Sequence, residues 1–197
     1  MTEKKKTQNI LIAGVGGQGT LLTSRILAQV LLQMGYDVKV SEVHGMAQRG
    51  GSVVTQVRYG EKVYSPIIKK GDADILMAFE KLEAARWADY INPDGLVIIN
   101  NERVDPLPVI SGKAQYPQDI DQQIKKTIPN TIIIDAAEIA AKCGNIKSAN
   151  VVMVGMLAKA MDLPVALMEQ AIKESVPSKA IDINLNAFTE GYTSIIN

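Results

Sequence analysis

The sequence predicts a three-layer, Rossmann-like α/β fold, in which helices cover both faces of a mixed β-sheet and a helical C-terminal tail follows. Three observations lead to this prediction. Short apolar runs alternate with helical segments, which is typical of βαβ units. A glycine-rich loop, GVGGQG, separates the first apolar run from the first helical segment. From Ser148 onward, the pattern is helical only.

The first two strands and the helix between them follow from hydrophobic periodicity. Residues 9–13 (NILIA) form a short apolar run that suits a buried strand. Residues 20–34 carry an apolar side chain at every fourth position from Leu22, which predicts a helix packed on a sheet. Gly35 supplies a C-terminal stop, and a second strand is expected at residues 37–43.

The next segment departs from the βαβ pattern. Residues 44–51 (HGMAQRGG) lack the periodicity of a helix or a strand and are predicted to form a loop. Beyond them, alternating side chains predict a strand at residues 53–59. Gly60 and the charged pair after it predict a hairpin turn into a further strand at residues 63–64. Because a hairpin pairs its strands antiparallel, we expect a mixed sheet.

The βαβ pattern then resumes, and three more helices follow in the tail. Strands are predicted at residues 75–79, 96–100 and 131–135, with a turn at residues 92–95. Helices are predicted at residues 80–90, 119–127, 136–142 and 148–161, in a segment opened by Pro164, and within residues 179–195. No linker, low-complexity tract or repeat interrupts this pattern, so residues 1–197 are expected to form one domain.

Composition argues against several classes of function. The 21 basic and 21 acidic side chains give a formal net charge of zero, without the basic excess of a nucleic-acid-binding protein. The single cysteine, Cys143, cannot alone hold a structural zinc ion or an iron–sulfur cluster. No apolar stretch approaches 18 residues, and the N-terminus lacks a secretory signal pattern. We therefore expect a cytoplasmic protein without nucleic-acid, membrane or metal binding.

The first glycine loop predicts an anion site. Gly14, Gly16 and Gly19 have the spacing G-x-G-x-x-G between a strand and a helix, where backbone N–H groups and the helix dipole can face a phosphate. The same glycines also suit a tight turn that only packs the helix close to the strand. The residues predicted to bind the anionic group of a cofactor are Gly14, Gly16, Gly17, Gln18, Gly19 and Thr20.

The second loop lies beyond the carboxyl end of a predicted strand, where α/β proteins bind ligands. Its candidate catalytic residues are Glu42, His44 and Arg49. An imidazole titrates near neutral pH, and a guanidinium can clamp a carboxylate or a phosphate. A structural histidine and a surface ion pair are the alternatives. The predicted partner or active-site loop comprises Glu42, His44, Gly45, Met46, Gln48, Arg49, Gly50 and Gly51.

Glu42 also permits a different interpretation. It follows Gly19 by 23 residues, which is close to the spacing of the ribose-binding carboxylate in dinucleotide-binding folds. Such folds continue from that acid into a helix, however, and here the acid leads into a loop and another strand. The spacing alone leaves the dinucleotide interpretation open.

Taken together, GVGGQG and SEVHGMAQRGGSV resemble the gamma subunits or domains of the pyruvate and 2-ketoisovalerate ferredoxin oxidoreductases, and in particular the small (beta) subunit of indolepyruvate:ferredoxin oxidoreductases. Further marks of the resemblance are VTQVRYG, GDADIL at residues 71–76 and NAFTEGY at residues 186–192. The resemblance covers essentially the whole chain, and residues 42–52 carry it most specifically.

The resemblance implies a subunit of a complex that converts an aryl pyruvate, coenzyme A and oxidised ferredoxin into an aryl-acetyl-CoA, CO2 and reduced ferredoxin. In this family, thiamine diphosphate and the iron–sulfur clusters belong to the large subunit. This chain would then hold no cofactor alone and would be inactive alone. It would shape the active site or bind an anionic group such as a coenzyme A phosphate. Its partners would be the large subunit and, through the complex, ferredoxin, and the isolated chain could self-associate.

Two other functions stay open from the sequence. A stand-alone reductase would bind NAD(P) or a flavin nucleotide in the isolated chain. A non-catalytic structural subunit would use the glycine loops only to shape an interface, and the complex would stay active without it.

Overall fold

The computed structural model of the protein describes residues 7–45 and 51–194. These residues form one six-stranded sheet with helices packed on both faces, which confirms the predicted fold class. The strands are β1 (Gln8–Val15), β2 (Asp37–His44), β3 (Ser52–Gly60), β4 (Ala73–Ala78), β5 (Ile91–Asn100) and β6 (Thr131–Ile134). The α-helices are α1 (Thr20–Gln33), α2 (Lys81–Trp87), α3 (Leu107–Ile110), α4 (Ile120–Thr127), α5 (Ala136–Lys142), α6 (Ala149–Ala160), α7 (Val165–Ser175) and α8 (Ile181–Ser194).

The order of strands across the sheet is β2-β3-β1-β4-β5-β6. Strands β1, β4, β5 and β6 are parallel, whereas β3 runs antiparallel to both of its neighbours, β1 and β2. Because β3 runs opposite to both β1 and β2, β2 points in the same direction as β1. The carboxyl ends of β1, β2, β4, β5 and β6 therefore lie at one edge of the sheet, together with the start of β3. We call this the carboxyl edge. The first glycine loop, the end of β2 and the start of β3 meet there, as expected for a ligand site in an α/β sheet.

The mixed sheet is confirmed, but the predicted hairpin at Gly60 is wrong. The antiparallel hairpin is formed by β2 and β3, and residues 63–64 form no strand. The physical reason is that β1 and β2 already pair with the two edges of β3, which leaves no free edge for another strand. Val63 is instead buried, and its N–H donates to Asp37 Oδ2 at 2.9 Å.

Alternation along β1 divides the core into two layers. Ile10 and Ile12 face the layer formed with α1, α5, α6, α7 and α8. Leu11 and Ala13 face the layer formed with α2 and α4. A central strand covered on both faces must be apolar throughout, which explains why its sequence shows no polar alternation.

The predicted helical tail is part of this core, because α6 is buried along most of its length. Helices α6 and α8 approach backbone to backbone. A Cβ atom on Gly155 would lie 2.2 Å from the carbonyl oxygen of Phe188, and one on Gly191 would lie 1.9 Å from that of Val152. Among the described residues, no helix is long and apolar enough to cross a membrane.

The turn predicted at residues 92–95 lies inside β5. There the register with β4 shifts between Ala73 and Ile75. The Asn92 side chain accepts the N–H of Asp94 at 3.0 Å and donates to Asp74 Oδ1 at 3.0 Å. These bonds stabilise a bulge, so the turn-forming residues interrupt the strand locally without ending it.

Candidate functional site

A cleft of about 410 Å³ opens at the carboxyl edge. It brings together residues from the two predicted loops, which are far apart in the sequence. The sequence-predicted residues that line it are Gly16, Gly17, Gly19, Thr20, Glu42 and His44. The remaining lining comes from the first two turns of α1 and the start of β3.

The start of α1 presents backbone N–H groups at the cleft. Gly19 is the N-terminal cap residue, and no side chain caps the helix there. The first-turn N–H groups of a helix lack partners within the helix, and they carry the positive end of its dipole. Gly19 has φ +88°, and a Cβ atom there would lie 2.4 Å from Asn150 Nδ2. Both its conformation and its close contact with α6 therefore require glycine.

Gly14 and Gln18 support the loop from behind and do not belong to the residues that line the cleft. Gly14 lies within β1, and a Cβ atom there would lie 2.9 Å from Thr20 Cγ2. The side-chain oxygen of Gln18 accepts the N–H of Val15 at 2.7 Å, and its amide nitrogen donates to the Phe79 carbonyl at 3.2 Å. Gln18 thus fastens the loop to the end of β4.

One backbone hydrogen bond joins the two loops, and another closes the base of the second loop. The N–H of Gly16 donates to the Gly51 carbonyl at 2.8 Å, and the N–H of Gly45 donates to the Ser52 carbonyl at 2.9 Å. The intervening predicted site residues lie outside the described residues: Met46, Gln48, Arg49 and Gly50.

Glu42 and His44 form a carboxylate–imidazole pair at the cleft. His44 Nε2 contacts Glu42 Oε1, and the hydroxyl of Thr55 donates to Glu42 Oε2 at 3.5 Å. The Glu42 side chain is 14% exposed and that of His44 is 54% exposed. A carboxylate in this position orients the ring and fixes which nitrogen carries a proton. The pair therefore places a carboxylate and an imidazole side by side near the mouth of the cleft.

Arg25 also lines the cleft, although it was not among the residues predicted from the sequence. None of the ion pairs found among the described residues involves Arg25. Its spacing of four residues from Leu21, on the same face of α1, is the signal that would have placed it beside the loop.

Apolar side chains complete the cleft. Leu21, Leu22 and Val53 line it, and Leu21 is 43% exposed. The cleft therefore combines amide donors and a guanidinium with an apolar wall, which suits a ligand that carries both an anionic and an apolar part.

Two buried carboxyl groups lie behind the loops. Glu80 caps α2 by accepting the N–H of Glu83 at 3.0 Å. The Glu83 side chain is only 2% exposed, and burial raises its pKa above the ordinary value of a glutamate. The hydroxyl of Ser52 donates to Glu83 Oε2 at 2.6 Å, and Arg86 donates to Oε1 at 2.5 Å.

The strand order distinguishes this site from the usual dinucleotide-binding site. In the dinucleotide fold, the strand that ends in the ribose-binding acid lies directly beside the first strand. Here β3 lies between β1 and β2, so Glu42 stands two strands away from the glycine loop. Within the described part of the chain, no group of three His, Cys, Asp or Glu side chains is arranged to hold a metal ion.

Comparison with known proteins matches residues 9–194 to the family "Pyruvate ferredoxin/flavodoxin oxidoreductase". The chain is 43% identical over 193 residues to indolepyruvate oxidoreductase subunit IorB of Archaeoglobus fulgidus, covering 96% of both chains. It superimposes with a TM-score of 0.72 and 20% identity on pyruvate oxidoreductase subunit PORC of Thermotoga maritima, covering 97% of both chains.

A larger protein contains the same fold. The 2-oxoglutarate:ferredoxin oxidoreductase of Magnetococcus marinus, solved with 2-oxoglutarate, coenzyme A and succinyl-CoA bound, gives a TM-score of 0.72 and 20% identity. The match covers 96% of this chain and 31% of that one. On the family match and the close relative, the chain belongs to the pyruvate ferredoxin/flavodoxin oxidoreductase family and is a subunit of a 2-oxoacid:ferredoxin oxidoreductase.

Proposed function

We propose that this chain is the small subunit of an indolepyruvate:ferredoxin oxidoreductase. The complex would oxidatively decarboxylate indolepyruvate with coenzyme A to an aryl-acetyl-CoA and CO2, and pass the electrons to ferredoxin. The observation that carries the choice of substrate is the 43% identity to an indolepyruvate oxidoreductase subunit along nearly the whole of both chains.

In this proposal, the cleft receives an anionic group, and we assign it to a phosphate of coenzyme A. The N–H groups at the uncapped start of α1 and the guanidinium of Arg25 supply the donors. Helix starts and guanidinium groups are the usual protein ligands of phosphate. The Magnetococcus marinus enzyme, which contains this fold, was solved with coenzyme A bound, and coenzyme A is therefore the anionic ligand that we assign.

The proposal gives the other cofactors to a large partner subunit. An iron–sulfur cluster needs several thiolates, and this chain has one cysteine. Thiamine diphosphate would likewise be held by the partner. The loop from Glu42 to Gly51 would face that partner, with Glu42, His44 and Arg49 as its polar residues. The chain would be inactive alone and would work in the cytoplasm.

An anaerobic pull-down tests the partner assignment. The tagged chain serves as bait in an extract of its own cells, and the captured material is analysed for mass, thiamine diphosphate and visible iron–sulfur absorbance. The expected result is one large, brown subunit that contains thiamine diphosphate. Recovery of the chain alone with a bound nicotinamide or flavin nucleotide would contradict the proposal and favour a stand-alone reductase.

A further inference from the structure

Glu83 lies outside the cleft, yet its side chain reaches toward the stem of the second loop. It belongs to α2, which packs on the opposite face of the sheet from α1. Its carboxyl group is almost fully buried and is bonded by Ser52 at 2.6 Å and Arg86 at 2.5 Å. A buried carboxyl group is more costly than an apolar side chain of similar volume, so stability alone does not account for an acid here.

Ser52 connects this carboxyl group to both loops. Its own carbonyl accepts the N–H of Gly45 at 2.9 Å, at the end of β2. The carbonyl of the preceding residue, Gly51, accepts the N–H of Gly16 at 2.8 Å. Two hydrogen bonds and the backbone of residues 51–52 therefore connect Glu83 to the glycine loop, although Glu83 and Gly16 are far apart in the sequence.

We propose that Glu83 is a positioning residue. Through its hydrogen bond with Ser52, it fixes the position of the base of the second loop relative to the glycine loop. Without this bond, only backbone contacts with Val15 and Gly45, among the described residues, hold Ser52 at the start of β3, so that Ser52 and the Gly51 carbonyl beside it gain freedom to shift. The hydrogen bond that fixes Gly16 then weakens, and the amide groups beside α1 lose their alignment. The consequence for coenzyme A rests on the proposed function, whereas the mechanical link does not.

Two pairs of variants separate this role from a simple effect on folding. Glu83→Met removes the acceptor but keeps most of the volume, and Glu83→Gln keeps an acceptor. Ser52→Ala removes the donor, and Ser52→Thr keeps it. Glu138→Gln, which removes an exposed ion pair with Lys142 on α5, is the matched control. Thermal unfolding of each variant verifies that it is folded.

Hydrogen exchange of the Gly16 and Gly45 amides, measured by NMR on the isolated chain, tests the mechanical link. We expect about fivefold faster exchange in Glu83→Met and Ser52→Ala, as for the loss of one hydrogen bond. Glu83→Gln, Ser52→Thr and the control should remain close to the wild type. Unchanged exchange at Gly16 in the folded variants Glu83→Met and Ser52→Ala would overturn the proposal.

The reconstituted complex tests the consequence for the cleft. In Glu83→Met and Ser52→Ala, the KM for coenzyme A should rise about fivefold while kcat changes less than about twofold. Faster exchange with an unchanged KM would overturn the role in positioning the cleft. A wild-type complex whose activity does not depend on coenzyme A would contradict the proposed function, and the exchange measurement would still decide the link itself.

Discussion

Gly191→Ala is expected to lower the free energy of unfolding by about 3 kcal/mol, because it overpacks a contact that cannot relax. The added Cβ atom would lie 1.9 Å from the carbonyl oxygen of Val152 and 2.7 Å from its carbonyl carbon. Both atoms belong to the backbone of α6, which is buried in the core. Helix α8 must therefore move away from α6, and the neighbouring contact at Gly155 is lost with it.

Whether Gly191→Ala lowers or raises the free energy of unfolding shows whether α8 is packed tightly against α6. In a helix with free space, replacing glycine by alanine stabilises by up to about 1 kcal/mol. Urea unfolding followed by circular dichroism measures the change, and Thr189→Ala, on an exposed position of the same helix, serves as the control. The control should stay within about 0.5 kcal/mol of the wild type. A Gly191→Ala variant as stable as the wild type would show that α6 and α8 are not packed backbone to backbone.

The second large effect is expected from a charge placed in the cleft. Gly17 has φ +105°, and a Cβ atom there would meet nothing within 4 Å. Aspartate and asparagine have similar shapes and tolerate positive φ better than most residues, so the two substitutions share the cost in backbone strain. They differ in one negative charge, which would face the phosphate of coenzyme A. We expect Gly17→Asp to have a KM for coenzyme A about tenfold higher than Gly17→Asn, or about 1.4 kcal/mol.

The measurement is steady-state ferredoxin reduction by the reconstituted complex, with coenzyme A varied at low and high ionic strength. The difference between the two variants should shrink at high salt, since salt screens charges at the surface. Equal KM values for Gly17→Asp and Gly17→Asn at low salt would place the anionic part of coenzyme A elsewhere.

Local patterns were sufficient for most of the elements. The first strand, its glycine loop and the following helix are each specified by neighbouring residues, and the structure confirms them. The prediction of a hairpin at Gly60 was wrong because strand pairing depends on residues far apart in the sequence. Alternation at residues 53–59 shows that a strand is present, but it cannot show that β1 and β2 occupy both of its edges.

For the site as well, the features set by neighbouring residues were predicted and those set by distant contacts were not. The sequence identified the two loops by their glycines, and the structure brings their stems to one cleft. It did not identify Arg25, whose place depends on the face of α1 that meets β2. Nor did it identify Glu83, whose hydrogen bond to Ser52 joins residues 31 positions apart. A contact of this kind becomes visible only once α2 and β3 are assembled around the sheet.

The most direct test of the account is to reconstitute the large subunit with and without this chain. Ferredoxin reduction is then measured anaerobically with indolepyruvate and coenzyme A. Only the combined subunits are expected to reduce ferredoxin, and omitting either substrate should abolish the reaction. Full activity of the large subunit alone would contradict the account and assign this chain a purely structural role.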